Sequence, residues 1–541
     1  MANSRPDFRM HELRAHLLRL APLLAAAALL IAMVVVSRDF GATWDERALQ
    51  RYGEDLWEYF SGQRPRSAVD VSFGYTRIYG GFVELTSVAV QHLVPADTYV
   101  VRHAVNSVFG WTGVVFAFLM AARLFGRRAG WIAAVLLIAM PRYLGESMNN
   151  TKDLPFAVLM LVGLYYIVTF SPRYPYVSWP HAFKLALAAA LALDVRAMGL
   201  VLVGYAGIGL LVAVVASRER SLRRLAATVG RFAAIAVLAI VGGTAFWPWA
   251  QEQPLVRPVQ AFFLASGFSW GNPSLFAGRD LAAADLPWYY LPTWLAISLP
   301  PVVLVGLVLS GSTFWRRPAA RIQLAAIWAF VLVPATIAIV KHLSLYDGIR
   351  HMYFIVPPLA VIAAAGWDVA LASVRTWPRM AATAALVVGV AEPLIFQVRN
   401  HPNQNVYFSP LMGGPRAAFG RFDMDYWGNC FLQALDWSAA QARQAGMPLT
   451  FIANAREIAQ ADVMRYRVLY LQLRPSQSHH LDVRVLKGSR RDVVGVSGDP
   501  RIVHRVTTAD GTPLCLVLRG PDYGQFEARL ASVSAAADPT R

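Results

Sequence analysis

Hydrophobic residues occur along this chain in long runs that short polar segments separate. A bilayer-spanning helix needs roughly 20 apolar residues, and eleven runs approach or exceed that length, at positions 17–37, 98–122, 129–146, 154–170, 181–198, 199–216, 232–250, 290–310, 319–341, 350–372 and 380–398. The pattern therefore predicts an all-α polytopic membrane domain over residues 1–398, with about eleven transmembrane helices.

Two segments outside these runs have a different periodicity. In the first polar connection, residues 38–97, apolar positions recur at helical spacing from Trp44 to Phe60 and again from Tyr79 to Leu93, which predicts interfacial helices covering the bundle. The tail, residues 399–541, combines a helix at 439–446 with short apolar strands at 449–453, 468–473, 483–485 and 514–518. It is expected to form a small α/β domain.

Composition agrees with a membrane protein. The 541 residues are 56% hydrophobic and only 15% charged, with a mean hydropathy of +0.42, whereas soluble domains carry about 25% charged residues.

The distribution of charge predicts the orientation. With a retained first helix and a cytoplasmic N-terminus, the connections on the cytoplasmic side hold eighteen Lys and Arg against three acids, and the opposite connections hold thirteen basic and sixteen acidic residues. Cytoplasmic loops are enriched in Lys and Arg, so the tail is predicted to be extracytoplasmic, or periplasmic, beside an inner or plasma membrane. The +17 net charge follows largely from this bias and calls for membrane lipids, not nucleic acid, as partners.

Cysteine usage and motifs limit the chemistry further. The two cysteines, Cys430 and Cys515, both lie in the tail, where they would form a disulfide or remain two free thiols. No CxxC or HExxH motif and no phosphate-binding glycine loop occurs, so neither a metal site nor a nucleotide substrate is predicted.

Ionisable residues collect where the predicted helices reach the extracytoplasmic side. Adjacent carboxylates at Asp45 and Glu46 are suited to removing a proton, and cations nearby would suit an anionic, membrane-embedded substrate. The residues concerned are Asp45, Glu46, Glu84, Arg102, Lys152, Asp153, Arg350 and His351.

Each of these residues also has a structural interpretation. Arg102, Lys152 and Arg350 could reach toward lipid phosphates, as basic residues at helix ends do. Asp45 and Glu46 are typical of a helix first turn that Thr43 caps. Their convergence on one face of the membrane favours the functional interpretation.

In order and placement these residues resemble the membrane glycosyltransferases of the GT-C fold, in particular the dolichyl-phosphate-mannose protein mannosyltransferases and the aminoarabinose lipid A transferases. The matching segments are Trp44-Asp45-Glu46, Arg102, Leu124-Phe125-Gly126, Lys152-Asp153-Leu154-Pro155 and Asp194-Val195-Arg196.

The resemblance implies inverting transfer of a sugar, a hexose or a pentose, from a polyprenyl-phosphate donor to a hydroxyl of an extracytoplasmic glycan, lipid or protein. Asp45 would be the general base and Glu46 would position it. The donor phosphate would contact Arg102, Lys152 and Arg350, and the sugar or acceptor would contact Glu84, Asp153 and His351. No cofactor is expected, although some GT-C branches use a divalent ion.

Two other classes of membrane protein would use the same ionisable residues differently. A transporter or flippase of lipid-linked sugars would hold phosphate with these cations, but transporters commonly carry internal repeats, and none is evident in the sequence. A non-catalytic membrane scaffold would leave Asp45 dispensable.

Overall fold

The computed structural model describes residues 6–71, 76–170, 178–217, 221–268, 271–463, 471–473, 478–488 and 498–536. Helices make up most of this chain. Up to residue 242 they are α1 Pro6–Val36, α2 Glu46–Phe60, α3 Arg66–Val71, α4 Phe82–Leu93, α5 Thr98–Phe125, α6 Arg127–Ala139, α7 Pro141–Asn149, α8 Asp153–Phe170, α9 Trp179–Val195, α10 Leu200–Ser217 and α11 Leu222–Gly242.

The second half of the bundle adds α12 Pro248–Gln251, α13 Arg257–Ser266, α14 Tyr290–Ser298, α15 Pro301–Arg316, α16 Arg321–Val340, α17 Val356–Leu371 and α18 Thr376–Arg399. A 3-10 turn, Arg350–Ile355, leads directly into α17. A two-stranded hairpin, β1 Ser274–Phe276 and β2 Arg279–Leu281, lies between α13 and α14.

Six helices in the described part of the chain are long and apolar enough to cross a membrane, and two sharply bent pairs raise this number to at most eight. The prediction of eleven spans is not confirmed. The predicted run at 290–310 bends by 114° between α14 and α15, at Pro300 and Pro301, because proline disfavours a continuous helix. Another run, 129–146, contains α6 of only 13 residues, followed by the separate α7.

Helix α17 is the centre of the bundle, with its side chains almost entirely buried along its length. Small residues allow α15 to approach it closely. A Cβ atom on Gly366 would lie 2.2 Å from the Gly306 carbonyl oxygen, and one on Gly306 would lie 2.8 Å from the Ala363 carbonyl oxygen. Close contact between small residues stabilises helix pairs in membranes through van der Waals packing.

The tail contains the predicted sheet. Its elements are α19 Gly414–Ala418, α20 Cys430–Ala445, β3 Leu449–Ala453, α21 Arg456–Val463, β4 Leu471–Leu473, β5 Leu481–Val485, β6 Ile502–Thr507, β7 Pro513–Arg519 and α22 Tyr523–Ala536. The strand order is β4-β3-β5-β7-β6, with β3 parallel to both neighbours and β7 antiparallel to both of its own. The predicted strand residues 468–470 lie outside the described residues.

The two cysteines form a disulfide. It joins Cys430, the first residue of α20, to Cys515 in β7, with 5.8 Å between their Cα atoms. It therefore fixes the start of α20 to β7, an inner strand of the sheet.

Candidate active site

Asp45 lies where the first polar connection enters α2, at the end of the bundle that the tail covers. Its carboxylate forms an ion pair with the Arg350 guanidinium and lies 3.7 Å from Lys152 Nζ, and its side chain is 25% exposed. Burial alone would raise the pKa of Asp45, but Arg350 and then Lys152 more than offset it and hold the pKa below its ordinary value. The result is an ionised carboxylate with an exposed edge, as a general base requires.

Arg350 connects Asp45 with the other groups of the site. Besides Asp45, it donates from Nε to Asp153 Oδ2 at 2.8 Å and from Nη1 to the Tyr426 hydroxyl. Its guanidinium lies 4.7 Å and 4.9 Å from the ring centroids of Tyr426 and Trp427. These contacts hold the cation in one orientation at the seam between bundle and tail.

Lys152 flanks Asp45 on another side. Its Nζ lies 4.4 Å from the ring centroid of Tyr79, and its side chain is 11% exposed. The Lys152 charge is the main cause of a lowered Tyr79 pKa. Two cations, Lys152 and Arg350, therefore flank the Asp45 carboxylate.

Asp153 is already occupied by cations in this state. Its carboxylate pairs with Arg350 and with Arg196, the residue that follows α9, and its side chain is only 1% exposed. The position suits an anchor that holds two arginines in place. Binding of a sugar or acceptor hydroxyl, which the sequence predicts for Asp153, would require one of these ion pairs to open.

A second, fully buried polar cluster lies beside this site. Arg102 Nη2 donates to Glu84 at 2.6 Å and its Nη1 to Gln50 at 3.2 Å, while Glu46 lies 3.1 Å from His103 Nε2. Arg102 and Glu46 are 0% exposed. The structure therefore places Arg102 and Glu84, both predicted to contact substrate, in an ion pair that joins α2, α4 and α5.

His351 lies next to Arg350, but its ring packs against Tyr346 at 4.2 Å between centroids. Its buried Nδ1 has no hydrogen-bond partner among the described residues. The role predicted for His351 in sugar or acceptor binding stays a prediction.

The backbone that precedes Asp45 is held by side chains from both halves of the chain. The Gly41 amide donates to Asn429 Oδ1 at 2.8 Å, the Ala42 amide to Asp462 Oδ1 at 2.9 Å, and the Thr43 amide to Glu46 Oε2 at 2.8 Å. We call this arrangement the loop clamp. Gly41 suits it because a Cβ atom there would lie 3.0 Å from the Leu432 Cβ.

A narrow cleft opens on the Tyr426 side of Arg350. Its free volume is about 30 Å³, and its lining comes from both the bundle and the tail. The lining residues include Arg142, Glu146, Asn150, Trp294, Asp347, Arg350, Tyr353, Asn405, Asp423, Tyr426 and Trp427.

Several of these residues were not predicted from the sequence. Arg142 and Glu146 lie one turn apart on α7, and that i, i+4 pair of opposite charges in an apolar stretch is the signal that could have identified them. Trp294 and Tyr426 carry no such signal.

Metal ligation has no evident candidate in the described ranges. No group of three or more His, Cys, Asp or Glu side chains there is arranged to hold an ion. Asp45 and Asp153, the two carboxylates at the centre, are paired with Lys and Arg.

Comparison with known proteins gives matches among solved structures only. No family model and no curated protein matches the chain. The ArnT of Cupriavidus metallidurans is 15% identical in its apo structure, with a TM-score of 0.45, and 16% identical when bound to undecaprenyl phosphate, with a TM-score of 0.46; both alignments cover 92% of this chain and 98% of that one.

The Archaeoglobus fulgidus oligosaccharyltransferase, tethered with an acceptor peptide, is 11% identical with a TM-score of 0.44, over 81% of this chain and 63% of that one. These solved structures are of the same kind as the family that the sequence resembles. At these identities and TM-scores, the assignment of a function rests on the geometry around Asp45 and on the resemblance of the sequence.

Proposed function

We propose that this chain is an integral membrane glycosyltransferase that moves a sugar from a polyprenyl-phosphate donor to an acceptor hydroxyl on the extracytoplasmic side. The observation that carries the proposal is the partly exposed, ionised Asp45 carboxylate between Lys152 and Arg350. The class of donor comes from the resemblance of the sequence to GT-C glycosyltransferases.

In the proposed reaction, the donor phosphate binds between Lys152 and Arg350. Arg suits a bidentate grip on phosphate oxygens and Lys a point contact. As the phosphate engages Arg350, the ion pair with Asp45 weakens, and Asp45 becomes a stronger base at the moment the donor is in place.

Asp45 then takes the proton of the acceptor hydroxyl as its oxygen attacks the anomeric carbon. The new bond forms on the face opposite the leaving group, so the configuration inverts. The bond between the anomeric carbon and the phosphate oxygen breaks, its electron pair stays on the phosphate, and Lys152 and Arg350 stabilise that charge. Glu46 and the loop clamp hold Asp45 in position.

A substitution of the base tests this proposal. Asp45→Asn keeps the side-chain shape but cannot accept the proton, so transfer is expected to fall by at least about 100-fold while the abundance of the protein in membranes is unchanged. Asp285→Asn, an exposed acid in another connection, is the matched control.

The measurement is mass spectrometry of envelope lipids, glycans and proteins from a deletion strain complemented with each variant. A sugar that is absent in the deletion strain, restored by Asp285→Asn and missing with Asp45→Asn is the expected result. Full restoration by Asp45→Asn would contradict catalysis and favour a carrier of lipid-linked sugar.

A further inference from the structure

The cleft beside Arg350 contains unpaired hydrogen-bonding groups that its own fold does not use. Trp294 Nε1, the Tyr353 hydroxyl and both polar atoms of the Asn405 amide are buried without a hydrogen-bond partner in the described part of the chain. Each of the three side chains is at least nine-tenths buried. Burial of a polar group without a partner is unfavourable, so three neighbouring residues of this kind indicate a ligand site.

Arg142 adds a fourth group of this type. Its Nε donates to the Tyr407 carbonyl at 3.0 Å, and its guanidinium lies over the Phe408 ring at 4.8 Å. These contacts fix the guanidinium, yet Nη2 is buried and makes no hydrogen bond to any described residue. The cleft is thus lined by N–H groups of Arg142, Trp294 and Asn405 and by the Tyr353 hydroxyl, which both donates and accepts, whereas the Asn405 amide oxygen packs against Gly145.

This mixture of donors and acceptors fits hydroxyl groups, which both donate and accept. The charges lining the cleft disfavour a charged ligand of either sign. Arg142 would repel an ammonium group, and Glu146 would repel a carboxylate although Trp427 Nε1, at 3.0 Å, and Asn150 Nδ2, at 2.5 Å, donate to it.

The other two carboxyl groups of the cleft are partly ionised near neutral pH, and together with Glu146 they offset the positive charges of Arg142 and Arg350. Burial raises the pKa of Asp347 to about 6, and burial together with the neighbouring Asp347 raises that of Asp423 to about 7. A binding site with nearly balanced charge accepts a neutral polar ligand most readily.

Building on the proposed function, we propose that this cleft holds the transferred sugar of the donor and selects an uncharged hexose or pentose, with Trp294, Tyr353, Asn405 and Arg142 bonding its hydroxyls. Arg350 borders both the cleft and Asp45, which places the sugar next to the base and the phosphate. The free volume of about 30 Å³ is smaller than a sugar ring, so the cleft must widen when the sugar binds. In this proposal the hydrogen bond between Arg350 and Tyr426, which both line the cleft, opens to make that space.

Binding of matched donors to the full chain in lipid nanodiscs tests this inference. Titration calorimetry would compare a short-chain polyprenyl phosphate with its neutral hexosyl, neutral pentosyl, amino-sugar and uronosyl esters. We expect at least one neutral ester to bind about tenfold tighter than the bare phosphate. This increase in affinity, the gain from the sugar, should be smaller for the amino-sugar and uronosyl esters.

Conservative variants separate recognition from folding. Trp294→Phe and Tyr353→Phe each remove one unpaired polar group, so each should reduce the gain from the sugar about three- to tenfold and leave the affinity for bare polyprenyl phosphate unchanged. Thermal stability should stay equal or rise in Tyr353→Phe, because a buried unpaired group is lost, and should fall in Trp294→Phe, because the smaller ring leaves a cavity. In the control Tyr143→Phe, loss of the bond to the Gly110 carbonyl should lower stability without changing the gain.

The outcomes distinguish the two proposals. Binding of bare polyprenyl phosphate without a gain from any neutral sugar, or an equal gain in both Phe variants, overturns the sugar subsite and leaves the proposed function standing. A larger gain from a charged sugar overturns the selectivity. Failure of polyprenyl phosphate and all of its esters to bind would overturn the proposed function and the subsite with it.

Discussion

At the scale of single residues, the site depends on how two cations control one carboxylate. Burial by itself would raise the pKa of Asp45. Arg350 and Lys152 reverse that tendency. The same two residues are the proposed phosphate ligands, so donor binding and activation of the base are expected to be coupled through them.

A change at Lys152 should therefore move the pH dependence of the reaction. In the free enzyme the lowered pKa of Asp45 keeps the carboxylate ionised at and above about pH 5, so kcat/KM should have no acid limb there. Lys152→Gln removes one cation, raises the pKa of Asp45, and should therefore move the acid limb to higher pH.

The pH profile of kcat/KM for donor turnover measures this shift, because its shape does not depend on how much overall affinity the variant loses. Lys341→Gln, an exposed lysine after α16, is the control and should leave the profile unchanged. An unshifted acid limb in Lys152→Gln would mean that Lys152 does not act on the base.

The sequence identifies the residues at the centre of the site but not all of their partners. Asp45, Lys152, Asp153 and Arg350 were predicted because each is ionisable and lies where an apolar run ends. Arg102 and Glu84 satisfy the same rule, yet they form a buried ion pair. An ionisable residue at the end of an apolar run can be assigned a position along the bundle axis from the sequence. The direction in which its side chain points depends on packing between helices, which the sequence does not show.

At the scale of elements, the loop clamp couples the tail to the base. Asn429 and Asp462, from the start of α20 and from α21, accept the backbone amides of Gly41 and Ala42, which are hundreds of residues away in sequence. One role of the tail is therefore to fix the loop that carries Asp45.

Removal of one acceptor tests the clamp. Asn429→Ala leaves the Gly41 amide without its partner and frees the loop, so kcat should fall about ten- to a hundredfold, as small displacements of catalytic groups do. Donor affinity should not change, because Lys152 and Arg350 belong to other elements. Calorimetry with the donor and turnover measurements separate the two quantities.

Asn454→Ala provides the matched control within the same domain. The Asn454 side chain also bonds the backbone twice, to the carbonyl and the amide of Val485 at 2.9 Å each, but it does not contact the loop. An equal loss of kcat in both variants would assign Asn429 a purely structural role.

At the scale of the whole molecule, hydropathy identifies the helical bundle but overcounts its spans. A window of apolar residues registers composition, and it cannot register the 114° bend that divides the run at 290–310 or the 112° bend between α7 and α8. The sheet was predicted from four short apolar segments, but β6 was missed because His504 and Arg505 interrupt its apolar residues. The seam between bundle and sheet has no local sequence pattern, and the proposed active site lies along it.

The disulfide offers a test of whether the proposed active site depends on the contact between bundle and sheet. Cys430 directly follows the clamp residue Asn429, and the bond to Cys515 closes a loop of 85 residues, for which chain entropy predicts a stabilisation of about 4.6 kcal/mol. Reduction should loosen the start of α20, release the loop before Asp45 and lower the transfer rate at least tenfold. Binding of polyprenyl phosphate should persist, because Lys152 and Arg350 both belong to the bundle.

The chain contains only these two cysteines, so any effect of a reductant on purified protein is assigned to this bond. The Cys430→Ser, Cys515→Ser double variant should match the reduced wild type in transfer rate, and added reductant should not change it further. Limited proteolysis should cut the tail of the double variant faster while the bundle stays intact. Wild-type transfer with a protease-sensitive tail would mean that the sheet can loosen without moving Asp45, and that the clamp does not depend on the disulfide.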